Sequence, residues 1–342
     1  MIKLLITGFI SISIFFLSSQ VKNSDWVSYD PNQDLEELIL ELGGEGVPHK
    51  LDMTMPGVSA KAGEEIIKYG FTKNVKGNKV KKQSKHFVCT SCHNLVREDP
   101  DLTVSDPKAR LQYAINNDLP FLQGTTLYGA VNRTSFYNDD YVKKYGDLVY
   151  EANDDIRKSI QLCATECAQG RLLEDWEIES ILAYLYEIDL NLSDLKLNTI
   201  EVEFIERAKN GEVNNADAIK LLKTKYLAGS PATFIEPPVK RKDLRFENPD
   251  LQEGKMIYEK SCLYCHDQGK YSYFFLDKTK DSFKHLSSKA NGYGSHSIYQ
   301  VIRYGVPSYV WKKSYMPHYT EERLSRKQVQ NLRAYIDYKA KD

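Results

Sequence analysis

The chain of 342 residues is 42% hydrophobic and 27% charged, and it carries a formal net charge of -1. This nearly neutral balance excludes a general affinity for nucleic acid or for anionic membranes. The composition is typical of a globular protein rather than a disordered one. The length allows two domains of ordinary size.

Residues 1–19 predict a secretory signal peptide. A positive charge is followed by an apolar run over residues 4–17, which is short for a membrane span but suits the core of an export signal. We therefore expect a periplasmic or otherwise exported protein. The cleavage site is weak, because neither Ser18 nor Ser19 has a small residue two positions before it. An uncleaved N-terminal anchor is the alternative, and only that anchor would attach the protein to a membrane.

Residues 20–58 are polar and rich in Pro and Gly, and they predict an extended arm over a first domain at residues 59–190. From Gly63 onward, apolar or small residues recur at i, i+3, i+4 and i+7, which predicts a helix near the start of that domain. The same spacing predicts a terminal helix over residues 176–188. Because Gly63 has no Cβ, the terminal helix is able to cross the first helix at close range.

Two motifs of the form Cys-x-x-Cys-His dominate the chain. In such a motif the two thiols form thioether bonds to the vinyl groups of a haem, and the adjacent histidine binds the iron. A zinc ribbon or a thioredoxin-like pair also uses Cys-x-x-Cys, but the histidine in both copies and the helical surroundings argue against both. We predict two covalently attached haem c groups, held by Cys89, Cys92 and His93 and by Cys262, Cys265 and His266.

Residues 191–245 predict a linker, made of two short polar helices and then an extended, Pro-rich strap. A second domain at residues 246–342 repeats the plan of the first. Its first helix carries Gly254 just before the motif, and its closing helix begins with a capping box between Ser325 and Gln328. This internal repeat predicts an all-α fold of two tandem class I cytochrome c domains joined by the strap.

The proximal histidine leaves one axial position on each iron, and its occupant decides between electron transfer and chemistry. For the second haem we expect the thioether of Met316, which lies between the motif and the closing helix, where a His/Met cytochrome keeps its ligand. The rival ligands are His285, His296 and His318.

The first haem lacks such a ligand, because no methionine or histidine lies between His93 and Met256. Two cysteines, Cys163 and Cys167, precede the terminal helix instead. We favour a thiolate of one of these two cysteines as the iron ligand. A disulfide between the two cysteines, which export permits, is one alternative. A ligand from the N-terminal side is the other, and the candidates there are His49, Met53, Met55 and His86.

Residues 60–190 resemble the first domain of thiosulfate dehydrogenases and the haem domain of the A subunit of the Sox sulfur-oxidising system. The resemblance rests on Ala62–Ile67, on the first motif, and on Ile160–Leu173, in which Cys163 lies seven residues before Gly170. It implies a haem iron with a cysteine thiolate or persulfide, and so a catalytic role for Cys163 in the oxidation of a small sulfur oxyanion such as thiosulfate. The second domain is similar only to generic His/Met cytochromes c.

The sequence departs from that family where the family places arginines around its ligand cysteine. Ser159 and Glu166 stand there instead, and a negative glutamate opposes a sulfur oxyanion. The basic residues that would have to replace the arginines are Arg133, Arg157, Lys158 and Arg171.

Together these patterns predict an exported dihaem cytochrome c that transfers electrons from the first haem to the second and then to a redox partner protein. A thiolate lowers the iron potential and a thioether raises it, which sets this direction. The rival functions are a pure electron relay, a haem-based sensor or redox-complex subunit, and a peroxidase with an open first iron.

Overall fold

The structure is a computed structural model that describes residues 29–236, 248–272, 274–290, 297–306 and 316–342. Within these ranges the chain is helical, and its β contacts are isolated bridges. The predicted all-α fold is confirmed. The predicted signal segment, the two adjacent prolines of the strap and His296 lie outside the described residues. In the described part, no helix is long and apolar enough to cross a bilayer.

The described residues form fourteen α-helices, joined by loops and by short 3₁₀ and π turns. They are α1 Leu35–Glu41, α2 Ala60–Tyr69, α3 Pro107–Asn116, α4 Val142–Tyr145, α5 Leu148–Ala152, α6 Ile156–Leu162, α7 Asp175–Glu187, α8 Thr199–Lys209, α9 Asn215–Lys223, α10 Leu251–Ile257, α11 Leu263–His266, α12 Lys280–Ala290, α13 Ile298–Tyr304 and α14 Arg326–Lys341.

Two helix pairs cross at glycines. A Cβ at Gly63 of α2 would overlap the carbonyl oxygen of Ser180 in α7, and a Cβ at Gly254 of α10 would overlap that of Asn331 in α14. Only a residue without a side chain permits this approach of two backbones. The crossing predicted at Gly63 is therefore present, and it occurs again at Gly254.

The closing helix α14 begins as the sequence predicts. The Ser325 hydroxyl accepts a hydrogen bond from the Gln328 amide at 3.2 Å, and the Gln328 side chain accepts one from the Ser325 amide at 2.9 Å. This reciprocal pair satisfies amide groups that the first turn of a helix leaves without partners. The capping box thereby fixes where α14 starts and which face meets α10.

One core surrounds α2 and α7, and a second surrounds α10, α12 and α14. The second core also takes in α3 and the loop that follows it, which lie far earlier in the chain. Leu111, Ala114 and Phe121 are almost completely buried there, against residues such as Leu332. Division of the chain at the linker therefore does not separate the two cores.

The arm and the linker form a third cluster. Leu35 and Leu38 of α1 pack with Ile205 of α8 and with Leu222 of α9, and all four side chains are buried. The segment predicted as an extended arm thus contains a helix. The sequence pattern missed it because α1 is only seven residues long.

A buried cluster of charges joins the two cores. Glu98 pairs with Arg323 and, at 3.7 Å, with Arg110, and each of the three residues is at most 5% exposed. The Glu98 carboxylate also accepts hydrogen bonds from Asn94 and from the Thr126 amide. One carboxylate therefore balances two guanidinium groups that come from different parts of the chain.

Candidate haem sites

The first motif forms a compact turn. Cys89–Ser91 is a 3₁₀ turn, the Ser91 hydroxyl accepts a hydrogen bond from the Val88 amide at 3.1 Å, and the His93 amide donates to the Cys89 carbonyl at 3.0 Å. This turn places both thiols and the imidazole on the wall of one large cavity.

A backbone carbonyl orients the imidazole of His93. Its Nδ1 donates a hydrogen bond to the Thr125 carbonyl at 2.6 Å, which leaves the lone pair of Nε2 free for a metal. Burial lowers the pKa of His93, so that the ring is neutral. Gly124 permits the close approach, because a Cβ there would lie 2.5 Å from the ring.

The cavity beside the first motif encloses about 1380 Å³, including space open to solvent. Most of the lining is apolar, as a porphyrin face requires, and it includes Ile66, Ile67, Leu127, Phe136, Ile181 and Leu185. With two thiols and a neutral imidazole on one wall, these residues fit a covalently attached haem.

The second motif is built in the same way. It follows a π turn at Tyr258–Cys262, and its last four residues form α11. The Nδ1 of His266 donates to the Phe274 carbonyl at 2.7 Å, and burial lowers the pKa of His266. This ring is also neutral and leaves Nε2 free to bind iron.

Comparison with protein families decides the nature of the second unit. Residues 249–336 match the family described as cytochrome C oxidase, cbb3-type, subunit III. These residues are a cytochrome c domain. The match spans α10, the second motif and most of α14, and it implies at least one covalently attached haem c, for which Cys262 and Cys265 fit the attachment pattern. No curated protein and no solved structure matches the chain.

A cytochrome c domain implies haem-based electron transfer with a redox partner. In the described part of the chain, no three His, Cys, Asp or Glu side chains converge as the ligands of a metal ion would.

Both cysteines that precede α7 line the first cavity. Cys163–Cys167 is a π turn, closed by a hydrogen bond from the Ala168 amide to the Cys163 carbonyl at 2.8 Å. The nearby Gly170 allows the turn to pack on the Gln83 carbonyl, which a Cβ would overlap. Such π turns interrupt helices frequently at functional sites.

Hydrogen bonds distinguish the two thiols. The Cys163 thiol donates a hydrogen bond to the sulfur of Cys167, and the two cysteines do not form a disulfide. The sulfur of Cys167 also contacts the hydroxyls of Tyr145 at 3.1 Å and Tyr137 at 3.7 Å. The bond from Cys163, with help from the tyrosines and the positive charge of Lys144, lowers the pKa of Cys167 to about 7. Donation of that bond raises the pKa of Cys163. Negative charge thus resides more readily on Cys167 than on the sulfur that the sequence favoured.

The N-terminal candidates for the first iron do not line the cavity. The ring of His49 bonds to the Val131 carbonyl at 2.6 Å instead, and the side chain of Met53 is 55% exposed. Met55 and His86 also lie outside the lining. Among the alternatives for this site, the cysteines are the ones that the fold brings together.

His318, which the sequence offered as a rival ligand for the second haem, lines the first cavity. Its ring lies 4.9 Å from that of Phe234 and 6.0 Å from that of Tyr145, and burial lowers its pKa well below the usual value. Sequence order gave no signal for this placement, because His318 follows Met316 in the second domain. Met316 itself lies beside Gly305, and His285 packs on Phe274.

The basic residues near Cys163 mostly point elsewhere. Arg157 pairs with Glu179, Lys158 pairs with Glu151, and Arg171 pairs with Glu177. None of these three lines the first cavity, whereas Arg133 does. Arg133 is therefore the one candidate of the four that reaches the site.

The two motifs contact each other. The hydroxyl of Tyr264, inside the second motif, donates a hydrogen bond to the carbonyl of Thr90, inside the first, at 3.0 Å. The ammonium group of Lys270 lies 4.0 Å from the centre of the Tyr264 ring. The two motifs therefore lie next to each other where the two cores meet.

Proposed function

We propose that the chain is an exported dihaem cytochrome c, in which a first haem at Cys89, Cys92 and His93 passes electrons to the haem of residues 249–336 and from there to a redox partner protein. Export places the protein in the periplasm or an equivalent compartment, where covalent haem attachment takes place. Membrane association is proposed only for a chain whose N-terminal segment stays in place.

The observation that supports a second haem most strongly is the repeated geometry. His93 and His266 each donate Nδ1 to a backbone carbonyl, at 2.6 Å and 2.7 Å. Each motif lies next to a helix pair that crosses at a glycine. Since residues 249–336 are a cytochrome c domain, the same construction around the first motif favours the same cofactor there.

The haem supplies one-electron exchange, and the chain supplies its position and environment. The carbonyls of Thr125 and Phe274 hold both imidazoles in the tautomer that ligates iron. The bond between Tyr264 and Thr90 keeps the two attachment sites adjacent, which favours direct electron transfer between them.

Haem stoichiometry tests this proposal. The denatured, acid-extracted wild-type protein should retain the mass of two haems, and a double substitution of Cys89→Ala and Cys92→Ala should retain one. The matched double substitution of Cys262→Ala and Cys265→Ala should also retain one haem, at the other motif. A wild-type mass increase of a single haem contradicts the proposal.

We further propose that a sulfur atom ligates the first iron and that this site oxidises a small sulfur oxyanion such as thiosulfate. The resemblance to thiosulfate dehydrogenases favours Cys163 as the ligand, whereas the hydrogen bonds favour charge on Cys167. The EPR spectrum of the oxidised protein shows which cysteine is the ligand, because the thiolate signal should disappear in only one of the variants Cys163→Ser and Cys167→Ser. Persistence of the signal in both excludes a cysteine ligand.

A pure electron relay is the second candidate. It is favoured by the ion pairs that hold Arg157, Lys158 and Arg171 away from the cavity, where an oxyanion would need positive charge. Anaerobic addition of thiosulfate or sulfite decides between the two. Reduction of the haems in wild type but not in the cysteine variant that loses the EPR signal indicates an enzyme, and the absence of reduction indicates a relay.

A further inference from the structure

Arg133 is the one lysine or arginine among the described residues that line the first cavity. No aspartate or glutamate lines the cavity in this part of the chain either. The remaining lining is apolar, aromatic, neutral-polar or sulfur-bearing. Apart from a thiolate at Cys167, the one charged side chain that a ligand in this cavity would meet is therefore that of Arg133, and its charge is positive.

Protein groups leave the guanidinium of Arg133 poorly satisfied. Its hydrogen bonds in the described part are long, at 3.4 Å to the Ser230 hydroxyl and at 3.5 Å to the Tyr128 carbonyl. It forms no ion pair with a described carboxylate within 4.0 Å, although Glu98 and Asp99 act on it from farther away. A guanidinium in such a place costs free energy unless an anion accompanies it.

The position of Arg133 also indicates where the charged end of a ligand would lie. Arg133, Thr125 and Ser230 line both this cavity and a smaller cavity next to it, so they mark the boundary between the two. The charged end of a ligand in the large cavity would therefore meet Arg133 beside the carbonyl that holds His93.

Haem c is a ligand with this distribution of charge. Its vinyl-bearing edge is fixed to the two thiols, and its two carboxylates lie on the opposite edge of the macrocycle. We propose that Arg133 binds a propionate carboxylate of the first haem, which rests on the proposed first haem. A planar guanidinium matches a carboxylate with two parallel hydrogen bonds, so that the pair neutralises both groups.

The test compares Arg133→Gln and Arg133→Lys with the control Lys158→Gln, which removes a positive charge from the same unit outside the cavity. Arg133→Gln should lower the midpoint potential of the first haem more than the control does, because loss of a nearby positive charge favours ferric iron. It should also shift the resonance Raman band of propionate bending and make the potential depend on pH. Arg133→Lys should restore most of the potential and keeps the test valid if the glutamine variant fails to fold.

Two results overturn this assignment. If the potential and the Raman band of Arg133→Gln equal those of Lys158→Gln, Arg133 does not pair with a propionate. If the potential and the Raman band of Arg133→Gln equal those of wild type but the spectral response to added sulfite disappears, Arg133 binds a free oxyanion instead. The mass of each sample distinguishes a wrong assignment of Arg133 from a wrong proposed function. A protein that carries one haem refutes both proposals, whereas a protein that carries two haems refutes only the assignment of Arg133.

Discussion

Replacement of Glu98 by glutamine should destabilise the whole molecule. Glu98 is 1% exposed and pairs with Arg110 and Arg323, so that Glu98→Gln removes the ion-pair partner of two buried guanidinium groups. These guanidinium groups lower the pKa of Glu98 from 4.5 to about 2, against the opposing effect of burial. Since one pKa unit corresponds to about 1.4 kcal/mol, the ionised carboxylate contributes about 3 kcal/mol to the free energy of unfolding.

Loss of one partner of a buried ion pair costs ~3–5 kcal/mol, which agrees with that value. The ion pairs of the buried cluster do not stabilise the charges of its members equally. Burial and repulsion from Arg323 lower the pKa of Arg110 to about 9 despite the attraction of Glu98. We therefore expect the buried charge of Arg110 to account for much of the stability that is lost when Glu98 is neutralised.

The dependence on pH follows from the lowered pKa of Glu98. Its contribution is complete above the pKa of an unfolded glutamate and is lost as the pH falls from 4.5 towards 2. Urea titrations at pH 7 should give a free energy of unfolding that is about 3 kcal/mol lower for Glu98→Gln than for wild type. The difference should shrink at pH 4 and below.

A matched control is Glu64→Gln, which removes a carboxylate that pairs with Lys61 and Lys68 on the surface of α2. It should leave the free energy nearly unchanged. If Glu98→Gln costs no more than the ~1 kcal/mol of a surface ion pair, or if its cost stays constant down to pH 3, the reasoning about the buried cluster is wrong.

Three further predictions concern other sites. Gly254→Ala places a methyl group on the Asn331 carbonyl, so it should lower the free energy of unfolding by at least the ~1–3 kcal/mol of overpacking, as thermal melts would show. Asp189 is partly buried and hydrogen-bonded to Asp34, and both effects raise its pKa to about 8, so Asp189→Asn should stabilise the protein increasingly from pH 4 to pH 8. A gain of about 2 kcal/mol is expected above pH 8, allowing for partial exposure, and a gain independent of pH would contradict this. Met316→Ala should abolish the near-infrared sulfur-to-iron band and lower the second-haem potential, whereas persistence of the band excludes Met316.

Features encoded within a few residues could be predicted from the sequence. The two motifs, the glycine helices and the capping box at Ser325 each depend on neighbours in the chain, and each is present. The π turn at Cys163–Cys167 was not predicted, because helical periodicity assumes a regular turn and so gave no basis for choosing between the two thiols.

Features that depend on distant partners could not be predicted. The long insertion between His93 and Cys163 has no repeat to compare with, and nothing in it indicates that α3 leaves its own unit. The placement of His318 in the first cavity depends on how the two cores meet, which no local pattern encodes. The tyrosines around Cys167 were visible only as a high tyrosine content, with 23 in the chain.

The position of α3 has a consequence for synthesis of the protein. Leu111, Ala114 and Phe121 emerge from the ribosome early, yet the surface that buries them includes Leu332 near the end of the chain. Until α14 has been made, this apolar face lacks that native partner, and exposed apolar surface on an incomplete chain promotes aggregation. A helix made long after α3 therefore completes this early part of the fold, so a chain that terminates before α14 would leave the apolar face of α3 exposed and the second core incomplete.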